Sequence, residues 1–210
     1  MSDPLVIQPP VRGEWAIMNP PGHASLAYDF LAVQDSKYPY KGATLLKHIL
    51  STIHVEHTHA WGKPVYATGD GTVVAAHDGV SDRLEISMAK DLVRLLLFGP
   101  KQVPPFSNLG GNHVILKCGG VYPLYAHLQR GSVLVRPGDS VRAGDPLGLV
   151  GNSGSSIQPH LHFQVMNTPD PFPLFRNLLP FVFGKVRCRR EGSWQAVASH
   201  APRNGDHLLL

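Results

Sequence analysis

Two histidines one residue apart, His160 and His162, are the residues of this chain best placed to do chemistry. In an extended strand alternate side chains share a face, so both imidazoles would point the same way while Leu161 turns to the core. Neutral imidazole is a common zinc ligand, and a second imidazole nearby can hold or deprotonate water. By itself the spacing is compatible with a metal site but favours two surface histidines on an amphipathic strand.

The surrounding segments favour the metal site. A glycine- and serine-rich loop, residues 151–156, leads to the pair, and two upstream segments are Tyr125-Ala126-His127-Leu128 and residues 135–148, which contain two Gly-Asp pairs. Residues 64–74 are a further segment considered with them. In order, spacing and residue type these segments resemble the lysostaphin-like zinc metallopeptidases, which are glycyl-glycine and peptidoglycan endopeptidases. The resemblance covers roughly residues 20–165.

The resemblance implies a site with one zinc ion per chain. Its zinc ligands would be two histidines and a carboxylate, which we assign to His23, Asp29 and His162. His127 and His160 would not bind the metal and would act as the catalytic residues on the attacking water. The implied substrate is a peptide of peptidoglycan, either a stem peptide or a cross-bridge. No specific nucleic acid is expected as a partner.

The upstream histidine has competitors. His54, His57 and His59 form a denser cluster than His23, and in an extended segment His57 and His59 would share a face. No carboxylate follows them at the strand position that the family uses, whereas Asp29 follows His23. We therefore favour His23 and keep the cluster as the alternative.

Length and composition favour one globular unit of 210 residues. The 21 glycines and 19 prolines favour short strands joined by turns. We expect a mainly β fold with an antiparallel sheet core, a substrate groove and short helices in insertions. The whole chain would be a single metallopeptidase domain, with a core of about residues 20–166, an insertion at about 34–62 and a C-terminal extension at about 167–210.

Local patterns predict the individual elements. Strands are expected over residues 27–33, 64–68, 72–77, 113–118, 121–127, 147–150 and 160–166. Helical spacing of apolar residues predicts helices over 45–53 and 88–98. The pairs Gly138-Asp139 and Gly144-Asp145 are expected to be scaffold turns. The C-terminal extension is expected to wrap the sheet.

The charge pattern is mildly basic. The formal net charge is +4 and the sequence pI is about 9.2. Basic residues gather near the C-terminus: Arg176, Lys185, Arg187, Arg189 and Arg190. Such a cluster is usually a solvated face, but it could attract anionic wall polymers or nucleic acid through nonspecific electrostatics.

The sequence leaves localisation, oligomeric state and cysteine chemistry open. No apolar run is long enough for a membrane helix, and Asp3, Arg12 and Glu14 do not fit a signal peptide. Action at the cell envelope is expected if peptidoglycan is the substrate, and a cytoplasmic protein otherwise. Two cysteines, Cys118 and Cys188, are too few for a zinc ribbon.

Three other functions fit parts of the pattern. A catalytically inactive relative that binds the wall or activates an amidase would normally lack a ligand or catalytic histidine, and no such loss is evident. A biotinyl- or lipoyl-carrier domain shares the Gly-Asp pattern but presents a lysine in a hairpin, and no lysine lies between Gly148 and Lys185. Hydrolysis of an unrelated glycine-rich peptide is the third.

Overall fold

The computed structural model describes residues 4–20, 24–34, 39–41, 51–87, 89, 91, 109–171 and 177–210. Within them the chain forms fifteen strands and one short 3-10 helix, Val55–His57, and residues 89, 91, 109 and 110 are also helical. In chain order the strands are β1 (Leu5–Ile7), β2 (Glu14–Met18), β3 (Ala27–Ala32), β4 (Ile53–His54), β5 (Pro64–Tyr66), β6 (Gly71–His77), β7 (Glu85–Ile86), β8 (Asn112–Lys117), β9 (Tyr122–Leu128), β10 (Ser140–Val141), β11 (Pro146–Leu149), β12 (Leu161–Met166), β13 (Phe181–Arg190), β14 (Ser193–His200) and β15 (His207–Leu209).

Eleven strands form one sheet in the order β1-β13-β15-β2-β3-β12-β9-β8-β6-β10, with β14 paired to β13. Neighbouring strands are antiparallel except β1 and β13, which are parallel. The predicted mainly β fold with an antiparallel core is therefore confirmed. The seven predicted strands are also present, with ends that differ by one or two residues.

The central strands β3, β12 and β9 separate an aromatic core from the face that carries the histidines. On the core side the rings of Phe30 and Phe163 lie edge to face with centroids 6.1 Å apart, and the Tyr125 ring is 5.2 Å from Phe163. All six residues of β3 are buried, so both faces of this strand are covered. A polar residue on β3 therefore needs partners within the protein.

The two Gly-Asp turns are scaffold, as the sequence predicts. Gly138 and Gly144 have φ values of 96° and 90°, which glycine adopts without the steric cost of a Cβ. The carboxylates that follow them each accept a hydrogen bond from a backbone N–H three residues earlier, at 2.8 and 2.7 Å. These turns lead into β10 and β11, which pair with β6 and β5.

The described part of the insertion packs with a later segment, residues 85–86, in a small layer beside the main sheet. Strands β4 and β7 pair, and a separate apolar cluster joins Tyr40, Ile53, Val55 and Ile86. The predicted helix over 45–53 is wrong at Ile53, because this residue pairs with Ile86 in a strand; residues 45–50 lie outside the described residues. Of the predicted helix over 88–98 only positions 89 and 91 are described, and both are helical.

The C-terminal extension extends the sheet and does not wrap it, which corrects the expectation from sequence. Strand β13 pairs with β14 in a long hairpin, and β15 bridges β13 and β2. The cause is an alternation within β13, where Val186 and Cys188 are buried while Lys185 and Arg187 are exposed. Such alternation suits a strand with one face on the core.

Among the described residues, none belongs to a helix that is both apolar enough and long enough to cross a bilayer.

Candidate functional site

Asp29 and His162 meet across two neighbouring strands. His162 of β12 lies opposite Asp29 of β3 on one side and Ala126 of β9 on the other. Directly opposed residues project from the same face of a sheet, and Nδ1 of His162 lies 2.9 Å from Oδ1 of Asp29. Only 6% of Asp29 is exposed, so this contact is shielded from solvent.

His160 reaches the same carboxylate from the end of the loop before β12. Its Nε2 lies 3.4 Å from Oδ1 of Asp29. Leu161 is fully buried in the core, as strand alternation predicts. His160 and His162 therefore converge on one carboxylate oxygen.

His127 arrives by a different backbone route. Tyr125 and Leu128 of β9 are three residues apart, whereas their partners on β8, Val114 and Asn112, are two residues apart. The extra residue in β9 is a β-bulge. Simple alternation would turn His127 to the core with Tyr125. Its φ of 62° is in the left-handed region that non-glycine residues rarely occupy. The ring centroid lies 4.7 Å from that of His160 and 5.9 Å from that of His162.

Backbone carbonyls orient two of the three rings in the same way. Nδ1 of His127 lies 2.8 Å from the carbonyl oxygen of Ser153, and Nδ1 of His160 lies 2.7 Å from that of Gln158. A carbonyl can only accept, so in both rings Nδ1–H is the donor and Nε2 faces away from the carbonyl. For His160 this direction leads to Asp29.

His162 has the opposite orientation. Its Nε2 lies 3.2 Å from Oε1 of Gln164, so Nε2–H donates to the amide oxygen and Nδ1 faces Asp29. An unprotonated Nδ1 and a carboxylate oxygen are both acceptors. Two acceptors at 2.9 Å need a proton or a cation between them.

The loop over residues 151–158 is fixed against the end of β9. The hydroxyl of Ser153 donates to the carbonyl of Leu128 at 2.7 Å and accepts from the backbone N–H of Asn112 at 3.0 Å. A Cβ at Gly151 would come within 2.4 Å of Gln129 backbone atoms, so only glycine allows this approach. The loop thereby presents the carbonyls that orient His127 and His160.

The buried charges are strongly coupled. Burial by itself would raise the pKa of Asp29, but the charges and hydrogen bonds of His160 and His162 outweigh it and hold the pKa well below its usual range. Burial opposes protonation of His160, yet the adjacent Asp29 carboxylate raises its pKa. For His127, burial and the neighbouring histidines lower the pKa well below the ordinary value.

The donor set fits a metal ion. His127, His160 and His162 each offer a nitrogen, and these atoms all lie within 4.8 Å of one another. Two ligand atoms at zinc distances of about 2.0–2.1 Å in a tetrahedron are about 3.3 Å apart. The distances from Oδ1 of Asp29 to His162 and His160, 2.9 and 3.4 Å, are close to that value.

The upstream histidines are not brought into this cluster in the part of the chain that is described. His23 lies outside the described residues. His54 is half-buried, with Nδ1 3.6 Å from a carboxylate oxygen of Glu56. His57 is exposed and His59 is half-buried.

Sequence reasoning did not identify the carbonyls of Ser153 and Gln158, because backbone acceptors have no residue signature. It also did not single out His113 and His77, which are paired across β8 and β6 with stacked rings 5.6 Å apart. Burial lowers the pKa of His113. The signal available in the sequence was the spacing of two between His113 and Ile115, which predicts that both side chains lie on one face of the strand.

Comparison with known proteins gives a family match over part of the chain. Residues 101–173 match the model of peptidase family M23, and this segment contains all three clustered histidines but neither His23 nor Asp29. The resemblance to lysostaphin-like peptidases is thus confirmed over this segment, which is about a third of the chain.

The relatives are distant and longer. Peptidoglycan DD-endopeptidase ShyA of Vibrio cholerae is 28% identical over 120 residues, which cover 57% of this chain and 21% of that protein. Lysostaphin of Staphylococcus simulans is 38% identical over 82 residues, covering 34% of this chain and 16% of lysostaphin. The chain thus spans about a fifth or less of the length of these curated relatives.

Solved structures show partial overlap. The catalytic domain of the prophage-encoded M23 protein EnpA from Enterococcus faecalis matches with a TM-score of 0.42 at 17% identity, covering 85% of this chain and 90% of that one. The lysostaphin catalytic domain from Staphylococcus simulans matches with a TM-score of 0.35 at 25% identity, covering 65% and 88%.

Proposed function

We propose that this protein is a zinc-dependent endopeptidase that hydrolyses peptide bonds in peptidoglycan stem peptides or cross-bridges. The observation that carries the proposal is the buried carboxylate of Asp29, on which His162 and His160 converge at 2.9 and 3.4 Å. A carboxylate and an imidazole whose acceptor atoms face each other away from solvent are suited to share a cation.

Asp29 and His162 would hold zinc, together with His23 as the third protein ligand. Gln164 supports this role for His162, because the hydrogen bond at Nε2 directs Nδ1 to the metal position. When bound, zinc supplies Lewis acidity that polarises a carbonyl and makes water easier to deprotonate. Three protein ligands leave one position open for chemistry.

His127 and His160 would move protons and hold the developing charge. Each ring donates Nδ1–H to a loop carbonyl, which fixes the position of that proton. Nε2 of His160 faces the Asp29 carboxylate. The Nε2 atom of one ring can accept the proton of the attacking water. The other ring, in its protonated form, can donate from Nε2 to the substrate oxyanion and to the leaving amine. The two rings are 4.7 Å apart, so both can contact the same scissile bond.

The substrate and setting follow from the M23 match and from the names of the relatives. ShyA and lysostaphin are similar in sequence to parts of this chain, and the name of ShyA says that it acts on peptidoglycan. We infer that the chain acts on wall peptides at the cell envelope. We also propose that residues 1–210 act as one metallopeptidase domain, because the C-terminal extension lies in the same sheet as Asp29 and His162.

The decisive experiment is digestion of purified peptidoglycan, with product masses and metal analysis of the same sample. We expect about one zinc per chain, peptide-bond products, and loss of activity with a chelator that zinc restores. A folded protein that binds zinc and the wall but releases no product would make the chain a binding or amidase-activating relative. A folded protein without any transition metal would remove the enzyme proposal.

The identity of the third ligand has its own test. His23→Ala should weaken zinc binding severely, whereas joint replacement of His54, His57 and His59 by Ala should change rate or substrate preference with zinc retained. Circular dichroism controls for folding in both variants. Zinc unchanged in the first variant and lost in the second would transfer the ligand role to the insertion.

A further inference from the structure

The C-terminal extension is the most basic part of the chain. Residues 167–210 contain six Lys and Arg against three Asp and Glu, whereas residues 1–166 contain thirteen against twelve. Most of the net positive charge therefore comes from a segment that the catalytic proposal does not use.

Strand β13 gathers three of these cations on one face. Lys185, Arg187 and Arg189 are exposed, and they alternate with the buried residues Val186 and Cys188. Alternate residues of a strand are about 6.7 Å apart. The result is an evenly spaced row of three positive charges.

The neighbouring strand leaves this row open. The residues opposite Lys185 and Arg187 on β14 are Ala198 and Ala196, whose side chains are short and uncharged. Among the described residues, neither Lys185 nor Arg187 forms an ion pair. Arg189 is 3.7 Å from Glu14 and lies over the ring of Trp194 at 5.9 Å, so it is the most constrained of the three.

This row lies on the same face of the sheet as the candidate site. On β2, Glu14 and Met18 share a face because they are four residues apart. Met18 lies opposite Asp29, and Glu14 lies opposite Leu209, which in turn lies opposite Arg187.

The contacts support this placement and give its scale. The carboxylate of Glu14 is 2.7 Å from His207 and 3.7 Å from Arg189. Strand β13 is four strands from β12 in the sheet order, or about 19 Å at the usual strand spacing. A polymer lying along this face could contact the cation row and the candidate site at once.

We infer that the β13 row, Lys185, Arg187 and Arg189, binds an anionic phosphodiester polymer of the bacterial wall and holds the enzyme beside its peptide substrate. The choice of a wall polymer rests on the proposed function. Three cations give weak, salt-sensitive binding, which would raise the local concentration of peptide without trapping the enzyme.

Two other polyanions fit the surface less well. Single-stranded nucleic acid is usually held by several aromatic rings that stack on bases, and Trp194 is the one aromatic residue on β14, already in contact with Arg189 and His207. Anionic membranes favour apolar side chains that insert beside the charges. The large exposed apolar residues among the described residues are all outside β13, β14 and β15.

The test uses a purified glycerol-phosphate polymer as the probe and the full chain as wild type and two charge-matched variants. Lys185→Gln with Arg187→Gln removes two charges from the row. Arg136→Gln with Arg142→Gln removes two exposed charges from the scaffold turns. We expect the first variant to lose at least about tenfold in affinity at low salt, with a slope of log affinity against log salt that is shallower by about 1.4. The turn variant should bind like wild type.

Equal losses in the two variants would overturn the inference, because net charge alone would then explain binding. Tighter binding of the wild type to a single-stranded DNA oligonucleotide or to phosphatidylglycerol vesicles than to the polymer would also overturn it. Hydrolysis of a soluble wall peptide, measured in parallel, should be unchanged in the row variant. If the wild type binds the polymer but cleaves no peptide, the proposed function fails while the binding part of this inference stands.

Discussion

The histidines of the site are turned to the same face of the sheet by two different backbone geometries. At the start of β12, ordinary alternation turns Leu161 to the core and leaves His162, with His160 just before the strand, facing Asp29. On β9, alternation would bury His127 in the core, and a bulge with φ of 62° turns it to the site. The difference teaches that regular alternation is enough to place the proposed metal ligand His162, whereas the proposed catalytic residue His127 needs a strained backbone.

The largest effect that separates the two strands should be on activity. His127→Ala should lower kcat/KM on peptidoglycan peptides by about 10²–10⁴-fold, because proton transfer in the transition state is lost. Zinc content should stay at the wild-type value, since the ligands on β3 and β12 are untouched. Steady-state kinetics with elemental analysis measures both quantities; a variant that keeps full activity would exclude His127 from the chemistry.

This contrast between the strands also defines what the sequence can predict. In a strand with a period of two, His160 and His162 share one face and Leu161 lies on the other. The face of His162 could therefore be predicted from residue types alone. The position of His127 depends on one extra residue in β9 relative to β8, which is a property of how the two strands pair and not of the residue pattern of β9 itself. The residue types of β9 do not indicate this extra residue.

The C-terminal extension and the insertion show the same limit. Alternation in β13 was visible in the sequence, but its partner strands β14, β15 and β1 come from both ends of the chain. Ile53 has helical spacing with its neighbours and still forms a strand, because Ile86, which lies outside the insertion, offers a buried partner. Tertiary pairing outweighs local propensity at both places.

A smaller effect is expected at the side chain that orients His162. Gln164→Leu removes the acceptor at Nε2 while preserving a buried side chain of similar size. Zinc affinity should fall about 10–100-fold, as for other partners that orient metal ligands. Competition with a chromophoric chelator measures it. An unchanged affinity would show that the tautomer of His162 is fixed by another group.

The backbone difference predicts a reversal of sign in stability. At position 127 the left-handed φ costs a residue with Cβ about 1 kcal/mol, so His127→Gly should be more stable than His127→Ala by about that amount. At position 162 in a regular strand, His162→Gly should be less stable than His162→Ala by about 0.5–1 kcal/mol. Urea unfolding with chelator present excludes metal binding from both comparisons. The same sign at both positions would contradict the bulge.

The smallest effect concerns the hydroxyl beside His160. Oγ of Ser156 lies 3.1 Å from Nδ1 of His160, while the carbonyl of Gln158 is closer at 2.7 Å. Ser156→Ala should therefore lower kcat by less than about tenfold, because one lost neutral hydrogen bond is worth about 1 kcal/mol. Zinc content should not change. A loss as large as that of His160→Ala would make Ser156 the main orienting group.

The central claim is that His162 binds zinc while His160, two residues earlier, does not. The direct measurement is zinc per chain in purified His160→Ala and His162→Ala, with folding checked by circular dichroism. We predict about one zinc per chain in His160→Ala, with most hydrolysis lost, and no bound zinc in His162→Ala. Release of zinc from both variants would contradict this division and assign the metal to the cluster of His127, His160 and His162.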